Sequence, residues 1–239
     1  MEYRNKNRNL VGSQSEQPTI QINKDKIIVG GYQRFVINKN INNMKILNKE
    51  NKFKKIENIL DNLYVNDKKG DKTIIDIGCS SGIVSLISQK LGYNKIVSLD
   101  HDVEYLGVLD KINKHLNITN IQTKEYSFGD SLNYSGDVVT MLALIHWIYS
   151  CTSNFGSFEK IFKYLNTICD EYLLIEWVDP KDSAIKNFKH IEYNREIIVE
   201  EYNQKNFENA IINNFGIILD KIHLDKIYRI LYIIKKNKS

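Results

Sequence analysis

The feature that most constrains the fold is a regular alternation of two apolar patterns between residues 73 and 177. β-branched runs of strand length alternate with longer segments in which apolar residues recur every three or four positions. The runs predict strands over residues 73–77, 95–99, 121–126, 137–144 and 172–177, and the intervening segments predict helices over 83–91, 103–116 and 157–169. This alternation is typical of βαβ units, which build a parallel sheet with right-handed crossovers.

The C-terminal part of the chain follows a different pattern. A helix is predicted over residues 198–213, and the stretch "FGIILDKIHLDKIYRILYIIKK" predicts two long strands joined by a turn near Asp225. The predicted fold class is therefore α/β, with a doubly wound, mostly parallel seven-stranded sheet, an antiparallel C-terminal hairpin that closes it, and helices on both faces.

The N-terminal part is predicted to lie outside this sheet. Residues 1–40 are predicted to form a polar tail and a lead-in or lid, in which Gly30 and Gly31 mark a short hairpin. Apolar spacing between residues 41 and 63 predicts one or two amphipathic helices. Residues 41–239 are accordingly predicted to form a single domain.

Composition narrows the function classes. The net charge is +4 and the pI is about 8.7, a small excess that does not by itself indicate nucleic-acid binding. The three cysteines have no metal-site spacing, so no metal is expected. The polar N-terminus and the lack of an apolar run of about 20 residues predict a cytoplasmic protein without a membrane span. The abundance of Asn, Ile and Lys fits an AT-rich genome. For a large DNA virus as the source, the predicted location would be the cytoplasm of the host.

The stretch "TIIDIGCSSGIVSLISQKLG" predicts a ligand site at its turn. The glycines at 78 and 82 allow a tight turn and a close approach to the main chain. The loop amides and the helix N-terminus then face the ligand with partial positive charge. In open α/β sheets, ligands bind beyond the carboxyl ends of the strands, and this first turn is the usual place.

Two further positions indicate the kind of ligand. Asp100 ends the next strand, roughly 20 residues beyond the loop, where a carboxylate accepts hydrogen bonds from ribose hydroxyls. Gly129 and Asp130 follow the third strand and are predicted to border a purine ring. A dinucleotide loop needs glycine at the middle position, where Ser80 stands. S-adenosylmethionine, a nucleoside without phosphates, fits this loop better.

With these motifs the chain resembles the class I S-adenosylmethionine-dependent methyltransferases. "IIDIGCSSG" resembles their first motif, with Asp76 and Gly78 in place and Ser80 instead of the usual glycine. "VSLDHD", which contains Asp100 and His101, resembles their second motif, and the closing hairpin resembles their antiparallel seventh strand. The resemblance covers residues 50–236 and implies S-adenosylmethionine as cofactor, with S-adenosylhomocysteine as product.

The resemblance also implies that the methyl group faces the end of the fourth strand, "LALIHWI", where Leu144 would contact the cofactor. His146 is predicted as the general base because imidazole titrates near neutral pH, with a histidine that shapes the loop as the alternative. Trp147 and Trp177 are predicted to lie at the mouth of the acceptor site, with packing as the alternative. Glu176 is predicted to orient the acceptor or to serve as another base.

Two segments, "LIEWVDPKDSAI" and "GGYQRFVINKNINN", resemble O-methyltransferases of glycans and small metabolites. This subset implies a small-molecule or glycan acceptor that is methylated on a hydroxyl. Tyr32 and Arg34 are predicted to fold over the cofactor as part of an N-terminal lid and to border the substrate. The alternatives are an RNA methyltransferase, with RNA as the partner, and an inactive regulatory subunit that binds the cofactor.

Overall fold

The computed structural model describes residues 17–40, 43–65, 68–151, 155–186, 201–224 and 226–237. Its larger sheet contains seven strands, which are β5 (Thr73–Ile77), β6 (Lys95–Asp100), β7 (Ile121–Glu125), β8 (Gly136–Met141), β9 (Cys169–Val178), β10 (Gly216–His223) and β11 (Arg229–Lys236). Their order across the sheet is β10-β11-β9-β8-β5-β6-β7. The strands from β5 to β9 pair in parallel, and β11 pairs antiparallel with β9 and β10. The predicted fold class is confirmed.

Helices cover both faces of this sheet. They are α1 (Asn51–Leu63), α2 (Ile83–Lys90), α3 (Val103–Leu116), α4 (Ile145–Cys151), α5 (Phe158–Ile168), α6 (Ser183–Lys186) and α7 (Gln204–Asn214). Apolar residues of α1, α2 and α3 share one core with one face of the sheet, and those of α4, α5 and α7 share a second core with the other face. Because side chains alternate along each strand, every central strand contributes to both cores.

A smaller antiparallel sheet precedes α1. It consists of β1 (Thr19–Ile22), β2 (Lys26–Gly30), β3 (Phe35–Asn40) and β4 (Asn43–Asn48), each paired with the next in the chain. Four of its buried side chains join the core beneath α2 and α3, namely Ile27, Val29, Phe35 and Ile37. The helical prediction for residues 41–63 is therefore wrong for β4, and the boundary predicted at residue 40 falls inside this sheet.

Some predicted features lie outside the described residues. These are the tail over residues 1–16, the turn residue Asp225 and residues 198–200 of the last predicted helix. Within the described ranges, no helix combines the length and the apolarity that crossing a membrane requires.

Candidate functional site

The site lies where the chain changes its direction of winding. The strand β5 pairs with β6 on one side and with β8 on the other, so the connections after β5 and β8 run to opposite sides of the sheet. Open α/β sheets bind ligands in the crevice at such a point. Here the loop after β8 lies against the loop after β5, since a Cβ atom added to Gly78 would overlap Cδ1 of Leu144.

The loop after β5 has an unusual backbone. Gly78, Ser80 and Gly82 all have left-handed φ angles, of 70°, 50° and 83°. This conformation disfavours residues with a Cβ atom, which explains why glycine stands at positions 78 and 82. Ser80 adopts the same conformation although it has a Cβ atom. The backbone N–H of Gly78 donates to the carbonyl of Leu99 at 2.7 Å, which ties the loop to the end of β6.

Two hydroxyl groups in this loop lack a hydrogen-bond partner within the described part of the chain. The side-chain oxygens of Ser80 and Ser81 are buried and have no hydrogen-bond partner among the described residues. Buried polar atoms are nearly always paired in folded proteins. A polar ligand bound at the loop would supply the partners that these hydroxyls lack.

Asp100 is held beside the same loop. Its Oδ2 accepts the backbone N–H of Ser80 at 2.8 Å, and its Oδ1 accepts the N–H of Asp102 at 3.0 Å. A carboxylate has about four acceptor positions, so this one can still bind ribose hydroxyls. His101 Nδ1 lies 3.3 Å from Oδ1, and its hydrogen bond to Asp100 raises the pKa of His101, although its side chain is 82% exposed.

Asp76 lies near the end of β5, just before the loop. Its carboxylate is buried and accepts hydrogen bonds from Ser85 Oγ at 2.8 Å and from Thr140 Oγ1 at 2.7 Å. Ser98 Oγ donates in turn to Ser85 Oγ at 2.7 Å. Burial is the main cause that raises the pKa of Asp76 to about 6, while the two hydroxyls oppose the shift. The ionisation of this carboxyl group is therefore sensitive to nearby charge at neutral pH.

Asp76 and Gly78 line a cavity of about 310 Å³ that extends from the loop toward the β10–β11 turn. The other lining residues are Tyr32, Gln33, Glu50, Lys52, Phe53, Val84, Leu142, Ala143, Glu176, Leu224, Lys226 and Arg229. The cavity thus joins the predicted cofactor loop to a wall of charged side chains.

Three of these lining residues, Lys52, Glu176 and Arg229, form a charged network with Asp182. Arg229 donates to Glu176 at 2.9 Å and, through two nitrogens, to Asp182 at 2.9 and 3.1 Å. Lys52 Nζ lies 3.5 Å from the second oxygen of Glu176. Burial opposes the charge on Asp182, but the hydrogen bonds from Arg229 lower its pKa, and the two carboxylates raise the pKa of Arg229. The predicted residue Glu176 is fully buried and faces the cavity.

His146 and Trp147 occupy another position than predicted. The strand β8 ends at Met141, so both residues belong to the first turn of α4 and not to the strand. His146 is 3% exposed, its ring centre lies 5.5 Å from that of Trp147, and neither residue lines the cavity. The role of His146 as a base stays a prediction.

The structure does not place Trp177 at the mouth of the site. Its side chain is fully buried on the opposite face of the sheet, stacked on Tyr202 with 4.8 Å between ring centres and tilted against Phe207 at 4.9 Å. Neighbouring residues of a strand point to opposite faces. Because Glu176 faces the cavity, its neighbour Trp177 points to the other face of the sheet, where it packs in the core. Packing was the alternative prediction for Trp177.

Gly129 and Asp130 lie in a closed turn after β7. Asp130 Oδ2 accepts the N–H of Ser127 at 2.8 Å, and Tyr164 donates to the Asp130 carbonyl at 2.8 Å. Gly129 has a φ of 100°, and a Cβ atom there would lie 2.5 Å from the ring of Phe155. Hydrogen bonds and aromatic packing thus fix the shape of this turn, and its contact with a purine stays a prediction.

Only one of the two predicted lid residues lines the cavity. Tyr32 lines the cavity with 64% of its surface exposed, whereas Arg34 is exposed and does not line it. Sequence reasoning missed Gln33, Lys52 and Arg229 in the cavity wall. Within the described ranges, no three or more His, Cys, Asp or Glu side chains are grouped to hold a metal ion.

Residues 54–158 match a family model described as ribosomal protein L11 methyltransferase (PrmA). The ribosomal protein L11 methyltransferase of Colwellia psychrerythraea is 36% identical over 69 residues, which is 29% of this chain and 23% of that protein. The chain therefore matches less than a quarter of the length of this curated relative.

Solved structures with the same fold span more of the chain. Magnesium protoporphyrin IX methyltransferase (ChlM) from Synechocystis with bound S-adenosylhomocysteine has a TM-score of 0.58 at 14% identity, covering 78% of this chain and 83% of that one. The ribosomal protein L11 methylase of Lactobacillus delbrueckii subsp. bulgaricus has a TM-score of 0.51 at 16% identity, covering 78% and 79%. The chain thus has the class I methyltransferase fold, and these comparisons agree with the predicted cofactor.

Proposed function

We propose that this protein binds S-adenosylmethionine and transfers its methyl group to a hydroxyl of a sugar, glycan or small metabolite. The observation that carries the cofactor assignment is the joint geometry of the loop and Asp100. Three residues with left-handed φ angles shape the loop, and the backbone N–H of Ser80 donates to the Asp100 carboxylate beside it. The unpartnered hydroxyls of Ser80 and Ser81 fit a polar nucleoside ligand.

Each end of the cofactor has suitable residues. Asp100 would accept hydrogen bonds from the ribose hydroxyls, and Gly129 and Asp130 would border the adenine. Asp76, which lines the cavity, would face the positively charged amino-acid end. Leu144 would pack against the loop glycine under the cofactor.

Support for a hydroxyl acceptor comes from the charged wall. One oxygen of Glu176 accepts from Arg229, while the other is only 3.5 Å from Lys52 and retains the capacity to accept an O–H. The exposed ring of Tyr32 at the rim of the cavity suits the apolar face of a sugar. The family match ends at residue 158, before Glu176, so it bears on the cofactor half and leaves the acceptor open.

When bound, S-adenosylmethionine supplies an electrophilic methyl group on a sulfonium centre. Glu176 would orient the acceptor so that its oxygen approaches in line, and positioning of this kind contributes up to roughly 7–11 kcal/mol. The acceptor oxygen would lose a proton as the new O–C bond forms and the methyl–sulfur bond breaks, which releases S-adenosylhomocysteine. A base that takes this proton is worth about 10²–10⁴-fold in rate. Glu176 faces the cavity and would be this base, whereas His146, which is buried and does not line the cavity, stays the base predicted from the sequence.

The cofactor assignment is tested by calorimetric titration with S-adenosylhomocysteine and, separately, with NAD. Wild type is expected to bind only the first, and Asp100→Ala to bind it at least about tenfold more weakly, because charged hydrogen bonds to the ribose are lost. Asp110→Ala, which removes an exposed acid on α3, is the control and should bind as wild type does. Binding of NAD, or of neither ligand, would contradict the proposal.

The acceptor is tested by methyl-transfer assays with labelled cofactor, sugars first. If His146 is the base, as the sequence predicts, His146→Ala should keep its affinity for S-adenosylhomocysteine while turnover falls about 10²–10⁴-fold. If Glu176 is the base, Glu176→Gln should show this loss instead. Unchanged turnover in His146→Ala would remove His146 as the base.

A further inference from the structure

The turn between β2 and β3 reaches from the small sheet to the predicted cofactor loop. The side-chain oxygen of Gln33 accepts the backbone N–H of Ile83 at 3.3 Å. Ile83 is the first residue of α2, and its N-cap residue Gly82 has no side chain with which to cap the helix. Helix N-termini leave backbone N–H groups unsatisfied. Gln33 therefore caps α2 from a different sheet.

A second contact holds the same turn on α3. The N–H of Tyr32 donates to the hydroxyl of Tyr105 at 3.1 Å. Gly31 has a φ of 112°, and a Cβ atom there would lie 3.1 Å from Cα of Pro18 and 3.3 Å from the Tyr105 hydroxyl. The turn thus approaches α3 too closely for a larger residue at position 31.

The held turn forms one wall of the cavity. Tyr32 and Gln33 both line it, together with Asp76 and Gly78. The buried, unpartnered hydroxyls of Ser80 and Ser81 lie in the loop that Gln33 contacts through α2. A ligand seated on this loop would therefore lie between the loop and the turn.

We propose that residues 31–34 form a cover over the bound cofactor and that Gln33 is the positioning residue that holds this cover closed. The inference rests on the proposed function, because it requires a cofactor on the loop. The hydrogen bonds of Gln33 with α2 and of Tyr32 with α3 are both neutral, and each has a modest net strength in water. Such a cover opens readily and controls how fast the ligand leaves.

The rate at which S-adenosylhomocysteine dissociates tests this directly, measured by stopped-flow displacement at pH 8. Gln33→Ala removes the acceptor, and we expect dissociation roughly 2- to 10-fold faster, the range that one neutral hydrogen bond supports. Gln33→Glu keeps an acceptor at the helix N-terminus, where a negative charge is favourable, so its rate should stay within about twofold of wild type. Gln21→Ala, on an exposed position of β1, is the matched control and should match wild type.

Tyr105→Phe removes the second contact but keeps the ring in the core, and it should also speed dissociation. The melting temperature of each variant is measured as well. Faster dissociation without a lower melting temperature shows that the effect is on the cover and not on the stability of the fold. A wild-type protein that does not bind S-adenosylhomocysteine overturns the proposed function. A wild type that binds it, with a dissociation rate equal to that of Gln33→Ala, overturns the cover alone. Equal acceleration in Gln33→Ala and Gln33→Glu overturns the role of Gln33 as hydrogen-bond acceptor.

Discussion

Replacing Asp76 by asparagine removes a charge that opposes folding at neutral pH. The pKa of Asp76 is about 6 in the folded protein and 3.8 ordinarily, with burial as the largest cause. The native state therefore holds the proton more tightly than the unfolded chain. Below pH 3.8 the carboxyl group is protonated in both states and ionisation costs nothing. The cost develops between pH 3.8 and 6 and is complete above that range.

The magnitude follows from the same two values. At about 1.36 kcal/mol per pKa unit, the full cost of ionising Asp76 is about 3 kcal/mol at pH 8, and roughly half of that at pH 5. Asparagine has one acceptor oxygen for the two hydroxyls of Ser85 and Thr140, so the variant loses one hydrogen bond, worth about 1 kcal/mol. We expect Asp76→Asn to be more stable than wild type by about 2 kcal/mol at pH 8.

Urea unfolding of both proteins without ligand, from pH 5 to pH 8, measures this difference. The advantage of the variant should shrink to below about 1 kcal/mol at pH 5, because the wild-type carboxyl group is then mostly protonated. At pH 8 the melting temperature should rise by roughly 4–8 °C for a domain of this size. An advantage that is the same at pH 5 and pH 8 would refute the burial argument.

The same substitution should act in the opposite direction on the ligand. If the ammonium group of S-adenosylhomocysteine lies near Asp76, its charge favours ionised Asp76, so affinity should increase from pH 5 to pH 7. Asp76→Asn should lose this pH dependence and bind at least about tenfold more weakly at pH 7. The ligand 5′-methylthioadenosine lacks the amino-acid end and serves as control. A similar loss of affinity for this control would place the ammonium elsewhere.

Two further predictions concern stability in urea. Gly82→Ala should destabilise the protein by about 2–3 kcal/mol, since φ is 83° and the new Cβ would lie 2.5 Å from Leu109. Gly107→Ala, whose Cβ would have nothing within 4 Å, should stabilise α3 by up to about 1 kcal/mol. Equal effects of the two substitutions would contradict this reasoning. Arg229→Met should cost about 3–5 kcal/mol because two buried carboxylates lose their partner, while Lys221→Met, in a half-exposed ion pair, should cost under about 1 kcal/mol. A loss below 1 kcal/mol for Arg229→Met would show that the network adds little.

Elements with clear local signals could be predicted from the sequence. The predicted ends of α3 agree with the structure, because Asp102 accepts the N–H of Glu104 at its start and Asn117 ends it in the left-handed conformation. The strand β5 also agrees with its predicted range. Local rules suffice where a cap residue or a β-branched run decides the structure.

Elements decided by distant partners could not be predicted in this way. Met44, Ile46 and Leu47 have a spacing that fits a helix, yet they form β4 because β3 supplies a full antiparallel pairing partner. The start of the short helix α4 could not be predicted because no sequence signal marks the end of β8. The apolar run of β8 continues past Met141, and the left-handed residue Ala143, with a φ of 52°, ends the strand without a glycine or proline.

The two halves of the site differ in how the chain encodes them. The cofactor half is nearly continuous in sequence, since residues 76–82 and Asp100 belong to one βαβ unit. Its motif can therefore be recognised from the sequence. The wall beyond it is assembled from α1, β9 and β11, which supply Lys52, Glu176 and Arg229. These residues meet only because β11 inserts between β9 and β10 in the sheet order. On the proposed function, in which this wall binds the acceptor, acceptor specificity would depend on the sheet topology. Substitutions on this wall should then change the acceptor while leaving the affinity for S-adenosylhomocysteine intact.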